Sequence, residues 1–368
     1  ELILDIIFFP LLYRYKNILL KNFAKANNGV INLVYNTVMK DFEININTKK
    51  IYSEKENNLS SELTADVFPN TFVLSNKKYS LYMDNKGNGF SRFSNIQLNR
   101  WYKETNNDYG MFIYIKDLDN GDVFSNTYAP INKKADKYDV YYTGDMIKFV
   151  RVDGDISTKT EIVVAKNHNV EIRKITLKNN GNKLKRFEIT TYTEPIISDN
   201  MSDVKNKVFN NMFVQSFYDK KNNALIVRRK NRNDVNINSY MVNKLVVSKA
   251  KDNYSYETER VNFIGRNRSV SNPLALDNRL SNYTGDNLDP IMSIRTSIEI
   301  KPYSSEEVYL IAGFGRNKEQ VQDIIKSYNT TGVLIDKYFE FSRLMMSAYN
   351  KELNISVDDV RIYNIMLS

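Results

Sequence analysis

Cysteine is absent from the 368 residues, and histidine and tryptophan occur once each, at His168 and Trp101. The first absence excludes disulfides, thiolate metal sites and cysteine nucleophiles. A lone imidazole excludes a multi-histidine metal site and leaves one histidine at most for acid–base work. Long apolar runs are missing too. The most apolar stretch, Ile6 to Tyr13, carries Pro10 and is far short of the roughly 20 residues a membrane helix needs. No signal peptide is legible: a start at Glu1 without Met, with Asp5 close behind, reads as a fragment of a longer chain. The formal net charge of +9 is spread along the chain. The one basic cluster, Arg228-Arg229-Lys230-Asn231-Arg232, reads as a solvated strand end and turn, not a nucleic-acid surface. There is no internal repeat and no low-complexity tract.

What is present describes an ordinary globular composition, 42% hydrophobic and 26% charged, long enough to bury a large core. Residues 1–42 have helical spacing, with Pro10 ending or kinking the first helix and Gly29 separating two helices. The polar stretch that follows reads as a linker. From about Phe68 to Ala312 the pattern is almost entirely β. Alternating segments recur at roughly ten-residue spacing, among them 146–152, 157–165, 170–178, 185–193, 236–247 and 291–300. Turn signals such as Asp153-Gly154 and Asn179-Asn180-Gly181 separate them. So many short strands without intervening helices predict a large antiparallel sandwich. After Gly315 the helical spacing returns, with Asn317 and Gln320 as a capping box. The predicted organisation is 1–66 N-terminal helices and linker, 67–315 sandwich, and 316–368 helical linker.

The stretch from Leu74 to Asp117 is the densest in aromatics and arginines. Tyr79, Leu81 and Met83, then Met111, Ile113 and Ile115, alternate as half-buried strands require. Between them Asp84 to Gly89 is a turn cluster, with glycines where positive φ is expected. The expectation is a β-hairpin followed by a polar, aromatic-studded loop.

This stretch also carries a family resemblance. Leu74-Ser75-Asn76 with Tyr79 matches an LSN-G-x-Y strand, with Lys77 replacing the glycine. Gly87, Gly89, Ser91 and Arg92 match a G-x-G-[YF]-S-R turn, with Phe93 where Trp is usual. Arg100-Trp101, Glu104, Thr105, Asp108 and Gly110 match RW-x-E-(x)-T-x-D-x-x-G, one residue shorter. Farther on, Glu188 to Tyr192 with Glu194, Phe213-Val214-Gln215, Phe263 to Arg266 and Gly285 with Leu288-Asp289-Pro290 match in the same order. Over about residues 72–350 the chain resembles the N-terminal β-supersandwich domain of glycoside hydrolase family 94, formerly glycosyltransferase family 36, and in particular the copies in cyclic β-1,2-glucan synthases.

The resemblance implies a galactose-mutarotase-like supersandwich with helical segments at both ends. It also implies that catalysis belongs to an (α/α)6 barrel of the same parent chain. It further implies a β-linked glucan or oligosaccharide as partner, no cofactor or metal, and a cytoplasmic chain whose parent is membrane-tethered where it is a synthase. A homodimer is left open. On this reading Arg92, Arg100, Trp101, Glu104 and Asp108 face glycan: a sugar site needs an aromatic face against the ring C–H groups and bidentate polar groups for the hydroxyls. The alternative is a structural loop in which Arg100 pairs with Glu104 or Asp108 and Trp101 packs inside. A free-standing glycan-binding module, and an enzyme acting alone, also remain open. The 25 tyrosines suit sandwich surfaces and sugar platforms alike.

Other candidates carry less. Glu188 and Glu194 fall on one face by even spacing, about 20 Å apart along a strand, too far for a hydrolytic pair. His168 lies in a predicted turn and is expected to be solvent-exposed. Gly313-Phe314-Gly315 lacks the third glycine and the Lys-Ser/Thr of a phosphate cradle and reads as a tight strand-to-helix turn. Asp277 and Asp286 to Asp289 do not match a calcium loop.

Overall fold

The structure, a computed structural model, describes residues 71–359 apart from 103–107, 231–237, 248–252, 329–331, 355 and 357–358. The expected N-terminal helices and linker therefore lie outside the described residues. In chain order the elements begin with β1 (Thr71–Ser75), β2 (Tyr79–Asp84), β3 (Gly89–Phe93), β4 (Ile96–Asn99), β5 (Met111–Asp117) and β6 (Val123–Ser125). Then come β7 (Lys137–Tyr142), β8 (Met146–Asp153), β9 (Ile156–Val164), β10 (Val170–Asn179), β11 (Lys185–Thr193) and β12 (Pro195–Ser198). Two short helices, α1 (Asn200–Lys205) and α2 (Lys207–Asn211), precede β13 (Val214–Asp219), β14 (Ala224–Lys230), β15 (Asn238–Val247) and β16 (Ser255–Glu259). The rest is α3 (Arg260–Ile264), β17 (Pro290–Ile300), β18 (Ser305–Gly315), α4 (Lys318–Ser327) and α5 (Gly332–Leu353).

The strands form three antiparallel sheets. Five strands run β1-β2-β3-β4-β12, eight run β13-β14-β15-β18-β10-β9-β8-β7, and five run β16-β17-β11-β5-β6. Alternation assigns each strand two faces. On β10, Ile175 and Leu177 join Leu81 of β2 and Ile113 of β5 in one apolar core between the sheets. Ile172 and the Tyr309–Ile311 side of β18 instead meet Val321, Ile324 and Ile325 of α4. This is the large antiparallel sandwich that the alternation predicted, with helices on the back of the large sheet. A smaller cluster covers the outer face of the third sheet, where Tyr114 and Tyr192 meet Phe263, Ile264 and Leu276.

A buried ion pair on β10 reaches across the core through its hydrogen bonds. Glu171 and Arg173 sit on the inward face of β10 and are buried. Arg173 donates to Glu171 Oε1 at 2.9 Å and to the Met111 carbonyl at 2.6 Å. Glu171 accepts from the Tyr79 hydroxyl at 3.2 Å and from Ser91 Oγ. The pair thus ties the large sheet to both smaller ones, and a one-residue slip of β10 would carry both charges to the helix-covered face.

The expected hairpin forms at the Asp84–Gly89 turn, and its second arm is β3. β2 turns back into β3, with Tyr82 opposite Phe90, and not into β5. β5 pairs with β11 in another sheet. Residues 89–99, expected as loop, supply two strands. Gly87 does adopt positive φ, +96°. Gly89 is required for a different reason: an added Cβ would fall 2.0 Å from the Tyr82 carbonyl oxygen. Both C-terminal helices lie where the spacing predicts them. The N-cap bond forms, with Gln320 N donating to Asn317 Oδ1 at 2.9 Å, while the Gln320 side chain reaches one residue farther back and accepts from Arg316 N at 2.8 Å.

Candidate functional site

The first small sheet presents an aromatic row on its outer face. Tyr79, Leu81 and Met83 point into the core, so Ser80 and Tyr82 point out. Ser91 and Phe93 are buried, so Phe90 and Arg92 point out as well. The Tyr82 and Phe90 rings stack with centroids 4.8 Å apart at 15°. Trp101, just past β4, continues the row with its centroid 5.2 Å from Phe90. All three rings are half-buried. Arg92 shares the face with Phe90, and its Nε donates to the Ser94 carbonyl at 2.7 Å. Tyr102 and Tyr109 meet edge to face at 5.2 Å nearby.

Between Trp101 and the sheet, Arg100 turns the other way. Its backbone N–H extends the β4–β12 pairing by donating to the Glu194 carbonyl at 2.8 Å, which sends the guanidinium inward. There it is 2% exposed. Nε and Nη2 grip both oxygens of Asp203 on α1, at 2.8 and 3.0 Å. Nη1 donates to Glu194 at 2.7 Å, and Nη2 also donates to Asn211 at 3.1 Å. Asp289 lies 3.7 Å away. Glu194 accepts further from Tyr192 at 2.6 Å and from Arg260 at 3.0 Å, and Asp203 accepts from Tyr102 at 2.7 Å.

Electrostatics follow from this geometry. Burial alone would raise the Glu194 pKa, but Arg100 and Arg260 outweigh it and hold it at about 2. Asp203 is also held below its ordinary range: burial opposes this, and the bidentate Arg100 prevails. Both carboxylates are ionised at neutral pH and already hold their hydrogen-bond partners. A general acid or base needs a proton that moves near the working pH, and the arginines hold these two carboxylates below that range.

The loop pairing considered from sequence is therefore corrected. Among the described residues Arg100 takes its carboxylates from Glu194, Asp203 and Asp289. Asp108 instead accepts from Asn132 Nδ2 at 2.7 Å. Glu104 lies outside the described residues. Trp101 is neither fully buried nor isolated but the end of a ring row. Tyr82 and Phe90 were missed by sequence reasoning. Their signal was there, in the outward positions of the alternation that buries Tyr79 and Leu81. Asp203 and Asn211 gave no local signal.

The remaining candidates are settled by their surroundings. Glu194 follows the end of β11, while Glu188 on that strand lies 3.3 Å from Arg295; each carboxylate has its own arginine. His168 does occupy a turn but is half-buried. Its Nδ1 lies 3.1 Å from the Tyr328 hydroxyl, and Tyr338 packs beside it, because α4 and α5 return over the β9–β10 turn. Burial lowers its pKa. Gly313 to Gly315 end β18, where Phe314 stacks on Phe93 at 4.5 Å. Arg228 and Arg229 are not simply solvated: the first bonds Gln215, and the second donates to the Asn210 carbonyl at 2.8 Å.

Comparison with known proteins agrees with this architecture. Residues 59–331 match the glycosyl hydrolase 94 supersandwich domain. The chain is 27% identical over 262 residues to the cyclic β-(1,2)-glucan synthase NdvB of Rhizobium meliloti (strain 1021), covering 70% of this chain and 9% of that protein. It is 23% identical over 268 residues to N,N'-diacetylchitobiose phosphorylase of Vibrio proteolyticus, covering 70% of this chain and 33% of that protein. A bacterial glucoamylase complexed with acarbose aligns at a TM-score of 0.47 and 13% identity, over 82% of this chain and 41% of that one. The chain thus spans a third or less of these curated relatives. With the family's profile matched across most of its length, this chain belongs to glycosyl hydrolase family 94 and carries its supersandwich domain.

Proposed function

We propose that this chain is the non-catalytic sandwich domain of a β-glucan-active phosphorylase or cyclic β-glucan synthase-like enzyme, that it supports the parent's catalytic barrel, and that its outer aromatic row contacts glycan. The observation that carries the glycan contact is the row itself. Three half-exposed rings, Tyr82, Phe90 and Trp101, lie in succession, with Arg92 on the same face as Phe90. Such a surface offers π-faces to the C–H side of sugar rings and a fork of donors to their hydroxyls. The non-catalytic role is supported by the knot beneath it, whose carboxylates are clamped by Arg100 and carry no proton to transfer. The names of the relatives, a β-(1,2)-glucan synthase and a chitobiose phosphorylase, support a β-linked sugar as the ligand class. The chain would work in the cytoplasm. Among the described residues no helix is long and apolar enough to cross a membrane.

Because Trp101 is the only tryptophan, its emission reports on the row directly. Titration with β-1,2- and β-1,4-linked gluco-oligosaccharides should give a saturable change in intensity. Phe90→Ala should weaken that binding about tenfold, the scale of 1.4 kcal/mol, with far-UV circular dichroism unchanged. A folded chain whose emission does not respond to any of these sugars would remove the glycan contact. Sugar turnover by this chain alone would remove the non-catalytic assignment.

A further inference from the structure

Helix α4 covers only part of the sheet it lies on. Its Ile324 and Ile325 meet Tyr309 and Ile311 of β18 and Val242 of β15. β13 is the edge strand of that sheet, and its Phe217 is 44% exposed. The step between helix and edge forms a cavity of about 250 Å³. Strand register decides what lines it. Val214 and Ser216 of β13 are buried in the sheet, so Gln215 and Phe217 point outward. Phe217 stands opposite Ile226, and Gln215 opposite Arg228, which in turn stands opposite Tyr240. Residues directly opposite share a face. Across from them, Lys318, Val321, Gln322 and Ile325 fall on one stripe of α4 by three-and-four spacing and close the other side.

The polar groups here are unevenly satisfied. Arg228 donates from Nη2 to Gln215 Oε1, and its guanidinium lies 5.5 Å from the Phe217 ring centroid. Its Nε is buried and has no hydrogen-bond partner among the described residues. A buried donor left unpaired is costly, and an acceptor entering the cavity would relieve it. Lys318 adds a second cation on an exposed side chain. The one carboxylate in the lining, Asp219, is already committed to its own turn. Its Oδ1 accepts from Lys221 N at 3.1 Å and Asn222 N at 3.3 Å, and its Oδ2 from Asn222 Nδ2 at 2.6 Å. The charge left to the cavity is therefore positive, while its buried wall, Val321 and Ile325, is apolar.

We propose that this cavity binds a small aromatic anion, an aryl ring carrying a phosphate or a carboxylate. The ring lies against Phe217 and Tyr240, and the anionic group meets Arg228 Nε and Lys318. Size agrees with this occupant: a cavity of about 150 Å³ holds a benzene molecule, so the larger one here takes a single ring with an anionic substituent. Chemistry agrees as well. A sugar ring would set hydroxyls against Ile226, Val321 and Ile325 without partners, whereas an aryl ring has none to strand. An arginine fork with a neighbouring lysine suits phosphate and carboxylate oxygens alike. The inference stands apart from the glycan contact, because the row ending at Trp101 belongs to another sheet.

The test is isothermal titration calorimetry of this chain with phenyl phosphate, benzoate, inorganic phosphate and benzyl alcohol. Phenyl phosphate or benzoate should bind saturably at one site per chain. The tighter of the two identifies the anion as phosphate ester or carboxylate, and either bears the site out. Arg228→Gln should weaken that binding about tenfold, the scale of a charge-assisted hydrogen bond, and Phe217→Ala should weaken it several-fold. Lys318→Gln, on an exposed side chain, should also weaken it and keeps the anion test if Arg228→Gln does not fold. Lys301→Gln, in the exposed turn before β18, should leave it unchanged. No saturable binding of either aromatic anion would overturn the proposal, as would equal affinity in folded Arg228→Gln. Inorganic phosphate binding as tightly as phenyl phosphate would reduce the site to a surface anion contact. Benzyl alcohol binding as tightly would reduce it to an apolar hollow, and either result overturns the assignment.

Discussion

Removing the Arg100 guanidinium should be among the most damaging single changes to this domain. In Arg100→Leu, Asp203 loses two hydrogen bonds and its only described ion pair, and Glu194 keeps Arg260 and Tyr192. Breaking a buried pair by removing one partner costs about 3–5 kcal/mol, so the urea midpoint at pH 7 should fall by that amount divided by the slope. The pH dependence tests the cause. Glu194 has a folded pKa of about 2 against 4.5 for the free side chain. A depressed carboxylate contributes stability that is present above the unfolded pKa and lost as pH falls through the folded one. For Glu194 that contribution is on the order of 3 kcal/mol, lost between about pH 5 and pH 2. In Arg100→Leu the abandoned Asp203 prefers to be protonated, so acid relieves it. The gap between wild type and variant should therefore narrow from pH 7 to pH 4. Denaturant unfolding followed by circular dichroism at pH 7, 5.5 and 4 measures it. A loss under about 1 kcal/mol at pH 7, the scale of an exposed salt bridge, would refute the reasoning, as would a gap that stays constant with pH.

Two further outcomes follow from the same structure. Lys244 is buried on β15, where desolvation lowers its pKa to about 8, and its Nζ donates to the Ile325 carbonyl at 3.2 Å. The unfolded chain binds the proton more tightly, so stability attributable to this group rises between pH 8 and 10.5. The stability difference between wild type and Lys244→Met should shift in the wild type's favour across that window, and a difference that is flat with pH would dismiss the buried-ammonium account. Gly89→Ala should destabilise the first small sheet by about 2 kcal/mol or more, the cost of overpacking, because its Cβ would meet the Tyr82 carbonyl oxygen; a thermal midpoint equal to the wild type's would contradict that crowding.

The pattern legible in the sequence was local. Alternation along 146–152, 157–165 and 170–178 predicts β8, β9 and β10 because each strand buries one face. The N-cap at Asn317 follows from two residues three apart. The helices at 200–211 escaped that reasoning for a physical reason: at six and five residues each is too short to show a repeat, and spacing does not say which face lies inward. Arg100 shows the same limit. A loop arginine suggests the nearest acids, Glu104 and Asp108, whereas its partners Glu194 and Asp203 stand 94 and 103 residues away.

By itself, then, the sequence determined an antiparallel sandwich through the middle of the chain, by alternation and turn chemistry acting within a few residues. It also placed Arg100 and Trp101 side by side. Only the tertiary structure decided that the first is locked beneath the sheet and the second completes a row of rings upon it. That choice depends on which strand lies beside β4 and what its end carries, and such pairing is set by contacts between segments some hundred residues apart.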